Sequence, residues 1–561
     1  MSGVIAMVRV DTQRGALGRP SRAGRGLGGA SVLSRTLHRM ARVPHVSRMV
    51  LVHEKGVDVS TLYDAAALDR PVEHHAVESF LHPLTQMVRT SRLWAPGAWR
   101  GGPGTLCCYD ELLPVEPYAQ VLDRFDASGA LLVGGDWPLV DPGLCGQIIA
   151  RHLEHPEAMQ MTFTQAPPGL CGICLGRELI AQLVDTLGVL STLLAYVPSR
   201  PQADPIGKDV CCQIPPEVRS CARRLIYDNP RSVELIDHLA TQIDIADADA
   251  STVVHAVRDI EAAHDDLLLH RPGQLTLELT PARPVRGPIT PQAHVAIDRD
   301  PIDADTAIDI IHRFAANAGA GDLLLTLGGI GDALLHPQWD RIAAAAHEAG
   351  VASICIETDL HLDRDLALRL LNAPIDIVSI RLNADSPEVY NAVMQPTDQH
   401  AFEQVVARIE DLLNERNRRW QEPGGGGDDA GVPWIIPRLV KTAHTLPDME
   451  NFFNRWVHYC RHAVIEPATT GCGLMPEQSP VRMAPPRRRP CAQLGRRLTV
   501  LSDGCVAQCD QDWLGRARLG DARTDTPMQI ATSITPVRAA HADSRWDELD
   551  LCANCHEWHR P

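Results

Sequence analysis

The run Leu275-Thr-Leu-Glu-Leu-Thr-Pro-Ala-Arg-Pro-Val-Arg-Gly-Pro-Ile-Thr-Pro291 sets the architecture of the chain's second half. Residues 274–279 read as a strand, and the prolines and glycine that follow turn it into a loop. From there strands and helices alternate. Strands are expected at 274–279, 323–327, 352–356, 375–382, 434–440 and 462–465. Helices are expected between them at 304–318, 338–348, 363–371, 401–420 and 448–460. Six βα units make a mostly parallel sheet and fall short of a closed eight-fold barrel, so a partial (βα)6 barrel is expected over 271–480. Residues 421–432 (QEPGGGGDDAGV) read as a flexible insertion between units.

The first 200 residues form another α/β series. A strand at Val4–Val10 leads into a Gly/Arg-rich loop, a helix at 30–43 and a strand at 48–53. A short apolar run at 130–134 ends at Asp136, as at the carboxyl end of a central strand. Residues 201–270 are polar, helical in patches and interrupted by prolines, and read as a helical connector. The most apolar stretch, 179–197, carries Gln182 and Asp185. A mid-membrane Asp costs roughly 2.5–3.5 kcal/mol, so a buried helix is expected and no membrane span. The segment after Val10 offers arginines and glycines in place of a small-residue cleavage site, so no export signal is expected and the compartment reads as cytoplasm.

The 561 residues carry a net charge of −17, which argues against general nucleic-acid binding. Residues 1–50 hold nine Arg and one Asp, while only Lys55, Lys208 and Lys441 represent lysine. The 16 cysteines are too sparse for a disulfide scaffold, so they read as buried thiols, catalytic groups or metal ligands.

Five of those cysteines fall within 491–555. Cys491, Gly504, Cys509, Cys552 and Cys555 give the spacing C-x12-G-x4-C, a gap of 42, then C-x2-C. Four thiolates in a short, loop-rich segment suit tetrahedral zinc or an iron–sulfur cluster and would supply the stability a small core lacks. Cys505 completes no spacing and reads as a bystander. Cys552-Ala-Asn-Cys555-His556 also fits the haem-attachment pattern CxxCH, which a chain without an export signal does not favour.

The segment RRRPCAQLGRRLTVLSDGCVAQCDQDWLGRARLGD (487–521) with LCANCHEW (551–558) resembles the SPASM/twitch extension of radical SAM enzymes. That resemblance implies a small Cys-rich domain over 481–561 and one 4Fe-4S cluster on Cys491, Cys509, Cys552 and Cys555, with zinc as the rival occupant. It also implies a radical SAM barrel upstream. Residues 275–291 resemble the family pattern LxLELTxxCNLRCPMCP except at the three cluster ligands, where Arg283, Gly287 and Thr290 stand. Arg stays protonated, Gly has no side chain, and a Thr hydroxyl is a poor iron ligand, so radical chemistry is not expected. Leu327-Gly-Gly-Ile-Gly-Asp-Ala-Leu-Leu-His-Pro337 resembles the family's glycine-rich turn, making Gly329, Gly331 and Asp332 the candidates near S-adenosylmethionine. Without the cluster that anchors its methionyl end, binding of that cofactor is not expected.

Residues 1–200 resemble nucleotidyltransferases of the cytidylyltransferase type, through LGRPSRAGRGLGG (17–29), ASVLSRTLHRM (30–40) and LLVGGDWPLVDP (131–142). The resemblance implies Mg²⁺ held by Asp136 on a nucleoside triphosphate, or a nucleotide-sugar, with Arg14, Arg19, Arg22 and Arg25 around the phosphates. Asp110 and Asp141 are candidates for a second metal carboxylate. The loop lacks the family's lysine, which leaves active transferase and inactive fold equally open.

Together the three parts resemble the spiro-SPASM family. The expected function is iron–sulfur binding beside a degenerate radical SAM barrel, serving binding, electron transfer or regulation, with a protein partner. The alternative is a Mg²⁺-dependent nucleotidyltransferase that uses the second half as scaffold.

Overall fold

The computed structural model describes residues 3–560 apart from 81, 187, 196–199, 265, 266, 269, 270, 319, 320, 422–432, 482 and 483. The insertion expected at 421–432 therefore lies, beyond Gln421, outside the described residues. The chain divides into two compact units, Met1–Leu269 and His270–Pro561.

The first unit is built on a mixed six-stranded sheet. Its strands are β1 (Val4–Val10), β4 (Val46–Glu54), β5 (Val72–Val77), β6 (Gly129–Gly134), β7 (Met161–Thr162) and β8 (Ile173–Gly176), in the order β5-β4-β1-β6-β8-β7. A small hairpin of β2 (Gly26–Leu27) and β3 (Ala30–Ser31) lies in the Gly/Arg loop. The first four of the large sheet are parallel, and β8 and β7 turn antiparallel. Strand β1 is the place where the strand order reverses, because the chain goes to β4 on one side and later to β6 on the other. In open α/β sheets a crevice opens at the carboxyl ends of such a pair.

Helices Pro230–Gln242 and Ala250–Ala263 belong to this unit. Buried Arg39 ties them in by donating to the carbonyls of Ile245 at 3.0 Å, Ala246 at 3.1 Å and Ala248 at 2.7 Å. The apolar stretch at 179–197 does not form the single buried helix its composition suggested. Helix Arg177–Thr186 buries Leu179, Ile180 and Leu183 and leaves Gln182 and Asp185 exposed, and a separate turn, Leu190–Leu193, follows.

The second unit holds β9 (Gln274–Leu277), β10 (Leu324–Leu327), β11 (Ser353–Thr358), β12 (Ile377–Arg381), β13 (Trp434–Lys441) and β14 (Val464–Pro467), each parallel to the next. The βα connections pack helices on this sheet, and a core running from Leu275 through Ile356 and Phe452 to Val506 joins them. Strand β9 ends two residues earlier than its apolar pattern suggests; the Glu278 N–H still donates to the Val500 carbonyl at 2.9 Å, while its carboxylate turns to Arg299. The carboxyl-terminal strands β15 (Arg497–Val500), β16 (Cys505–Ala507) and β17 (Arg518–Asp521) extend the same sheet beyond β9 to nine strands. Pairing of β15 with β9 thus fuses the Cys-rich segment to the first βα unit.

Candidate functional site

The loop after β9 has no free ligand position. Arg283 Nε donates to Asp359 Oδ2 at 2.9 Å, and a second guanidinium nitrogen donates to Oδ1; both side chains are almost fully buried. Gly287 lies so close to the helix Pro387–Met394 that a Cβ there would sit 2.0 Å from the Val393 carbonyl oxygen. Thr290 is buried and donates its hydroxyl to the Gly287 carbonyl at 2.8 Å. Gln292 locks the loop onto the next strand end by donating to the carbonyls of Pro281 at 2.8 Å and Ile330 at 2.9 Å.

The strand ends around this loop carry opposed charges. Asp332 accepts from the backbone N–H of Leu334 at 3.0 Å and Asp359 at 2.8 Å, and from Thr358 Oγ1 at 3.1 Å. Burial, and then neighbouring Asp359, push its carboxyl up to about 6. Arg381 donates to the Gly331 carbonyl at 2.6 Å, and Gly331 packs where a Cβ would meet Thr280 O at 1.7 Å. The Gly329 N–H donates to Glu357 Oε2 at 3.1 Å. Burial raises Glu357, but Arg438 and then Arg381 outweigh it and hold the carboxyl at about 2. Arg438 also forks onto Glu466 at 2.8 and 2.9 Å. Gly329, Gly331 and Asp332 are thus brought together, and the chain's own donors and acceptors occupy their polar atoms.

The carboxyl-terminal thiols are placed by turns. Gly504, at φ +82°, makes the β15–β16 turn, where a Cβ would strike the Arg523 side chain at 2.6 Å. That turn delivers Cys509 just beyond β16. The CxxC pair follows the short helix Asp550–Ala553, with Cys555 N–H donating to Cys552 O at 3.1 Å. Gln508 Nε2 donates to Cys552 Sγ at 3.3 Å, and Glu557 N–H donates to Cys555 Sγ at 3.3 Å. Cys491 lies within electrostatic reach of Cys555 and Cys509. Burial, then Cys509, Cys555 and Cys491, raise Cys552 to about 12.

A fifth thiol joins them that no spacing motif marked. Cys472 lies close enough to Cys509 and Cys555 for the three thiols to act on one another. It sits at φ +52°, left-handed backbone that is rare outside glycine, between Gly471 and Gly473, which are left-handed too. The Gly-Cys-Gly triplet was its only sequence signal. Cys505 points elsewhere, toward Leu501 and Gly515. Among the described residues, no three His, Cys, Asp or Glu side chains stand in the arrangement that holds a single metal ion.

In the first unit the crevice beside β1 and β6 is a small open cavity lined by Asp11, Arg14, Gly15, Glu111, Gly135 and Asp136 among others. Of the loop arginines expected at the phosphates, Arg14 lines it. Arg25 instead pairs with Asp237 at 3.3 Å and lies over the Tyr227 ring, and Arg22 acts on Tyr227 as well. Asp110 is committed to the N–H groups of Cys107 at 2.8 Å and Ser191 at 3.2 Å. Asp141 caps the helix Pro142–Glu154 and accepts from the Ala250 N–H at 2.6 Å.

The carboxylate beside Asp136 is Asp228, from the segment read as connector. A Cβ on Gly15 would lie 3.2 Å from Asp228 Cβ and 3.7 Å from Asp136 Oδ2. Burial, and then Asp228, raise Asp136 to about 7.

No family model matches the chain. An uncharacterized protein of Treponema pallidum (strain Nichols) is 27% identical over 134 residues, which are 23% of this chain. The match spans about a third (35%) of that relative's length. Among solved structures, BtrN in complex with AdoMet and 2-DOIA matches 51% of this chain and 92% of its own, with 14% identity and a TM-score of 0.33. Streptococcus suis SuiB bound to the precursor peptide SuiA matches 55% of this chain and 76% of its own, with 12% identity and a TM-score of 0.40. A cytidylyltransferase from Leptospira borgpetersenii matches 46% of this chain and 94% of its own, with 14% identity and a TM-score of 0.30.

Proposed function

We propose that the protein is an iron–sulfur protein whose cluster is held by the carboxyl-terminal thiols, and that its radical SAM-like sheet has given up radical chemistry. The observation that carries this reading is that Cys491, Cys509 and the Cys552/Cys555 pair, from three separate stretches of sequence, lie close enough for their charges to act on one another. The donor set fits the group: soft thiolates bind iron–sulfur clusters, and the Gln508 side chain and Glu557 N–H supply the sulfur-directed hydrogen bonds that tune them. A four-iron cluster spreads its ligands more widely than a single ion does, and Cys472 adds a thiol at the rim. Bound there, a cluster supplies one-electron transfer. The chain's part is to anchor it on β15–β16 and on the CxxC turn, and to couple it through β15 to β9.

The barrel-like sheet contributes rigidity in this scheme. Arg283 and Asp359 neutralise each other where the resemblance calls for a ligand, which leaves no seat for S-adenosylmethionine chemistry. Electron transfer or a redox-dependent protein contact is the role that follows. Anaerobically purified protein should carry about four irons and about four labile sulfides per chain. Stoichiometric zinc without sulfide would overturn the proposal.

A further inference from the structure

The resemblance of the first unit to nucleotidyltransferases implies a divalent cation on Asp136, and the donor set can be tested for it. Magnesium needs carboxylate oxygens that are open to it and to its waters. Asp11 Oδ1 accepts from the N–H groups of Gln13 and Arg14, each at 2.9 Å. The other two carboxylates near Asp136 are Glu111, on the pocket wall, and Asp228, packed beside it. Both are occupied. Arg224 Nε donates to Asp228 Oδ1 at 2.8 Å and to Oδ2 at 3.1 Å. Its terminal nitrogens donate to Glu111 Oε1 at 3.0 Å and Oε2 at 2.7 Å. Arg92 Nε adds a second cation on Glu111 Oε1 at 2.8 Å. All four of these side chains are at most 3% exposed.

We infer that the Arg224 guanidinium stands in for the divalent cation of this crevice, so that the pocket beside β1 and β6 binds no Mg²⁺ and takes its ligand metal-free. The guanidinium satisfies both carboxylates at once with a planar fork, as a hydrated Mg²⁺ would with two coordination sites. Expelling it would strand a buried cation, and breaking a buried pair by losing one partner is strongly destabilising. Charge also balances without a metal. Asp11, Glu111, Asp136 and Asp228 stand with Arg9, Arg14, Arg92 and Arg224, four carboxylates with four guanidiniums. A nucleotide entering here would meet an arginine and backbone N–H groups instead of an ion.

Manganese is the probe, because its electron paramagnetic resonance signal separates free from bound ion. The full-length wild-type protein, titrated with Mn²⁺ with and without CTP, should leave the ion free up to millimolar concentration. Arg224→Gln, which releases Asp228 and Glu111, should bind at least tenfold more tightly, and adding Asp136→Asn should abolish that gain. Stoichiometric micromolar Mn²⁺ binding by the wild type, lost in Asp136→Asn, would overturn the inference. So would a folded Arg224→Gln protein, by circular dichroism, that remains blind to Mn²⁺. If Arg224→Gln fails to fold, the wild-type titration decides alone.

Discussion

Arg283→Met removes the cation from Asp359 and leaves that carboxylate buried among Asp332, Thr358 and the loop after β9. Both partners of the pair are buried, so the cost is that of breaking a buried ion pair, about 3–5 kcal/mol. Arg381 stays close enough to Asp359 to recover part of this, which places the expectation near the lower end, about 3 kcal/mol. For a unit of this size each kcal/mol moves the melting temperature by about 2–4 °C, so calorimetry should show the second unit melting about 6–12 °C lower. The loss must depend on pH with a definite sign. Burial alone would raise Asp359, but Arg283 and then Arg381 hold it below its ordinary value. A depressed carboxyl stabilises the fold above the unfolded-state value near 4 and ceases to do so as pH falls through the folded value. The gap between wild type and Arg283→Met should therefore be widest near pH 7 and close in acid. Pairing the change with Asp359→Leu removes the stranded charge and should restore much of the stability, since apolar replacement of a whole buried pair is often neutral. A single variant that melts within about 2 °C of wild type, or a double variant whose loss is the sum of the two singles, would refute the view that this pair fills the vacated ligand position.

Three further outcomes follow from the same geometry. Restoring the thiols by Arg283→Cys, Gly287→Cys and Thr290→Cys should add no iron on anaerobic reconstitution, because a Cβ at 287 collides with the Val393 carbonyl; iron rising to about eight per chain would contradict this. Glu357, held at about 2, should contribute stability of order 3 kcal/mol above pH 4.5 and lose it as pH falls toward 2; Glu357→Gln should flatten the acid limb of a urea-denaturation series, and an unchanged limb would contradict the assignment. Cys472→Ser should keep the iron content of the wild type, since four other thiols remain, whereas Cys555→Ser should lose it; equal loss in both would make Cys472 a ligand.

Much of the scaffold was legible in the sequence. Val4–Val10 and Ala304–Ala318 carry clean apolar patterns and form where expected. The departures have local causes. Strand β9 stops short at the point where the Glu278 carboxylate pairs with Arg299, a pairing that no periodicity reveals. Asp228 escaped notice because its partner Asp136 is 92 residues away and their meeting depends on the fold of 201–269. Cys472 lies outside the motif spacing and is recruited by a left-handed Gly-Cys-Gly turn. What sequence did convey was the chemistry of absence: Arg283, Gly287 and Thr290 cannot ligate iron, and the structure shows each one absorbed by an ion pair, a tight backbone contact or a hydrogen bond.

The most direct test of one cluster in the tail and none in the sheet is the electron paramagnetic resonance spectrum of the dithionite-reduced, anaerobically purified protein. A single cluster signal is predicted. It should disappear in Cys552→Ala and stay unchanged when S-adenosylmethionine is added. A second signal, or one whose shape shifts with S-adenosylmethionine, would contradict the account.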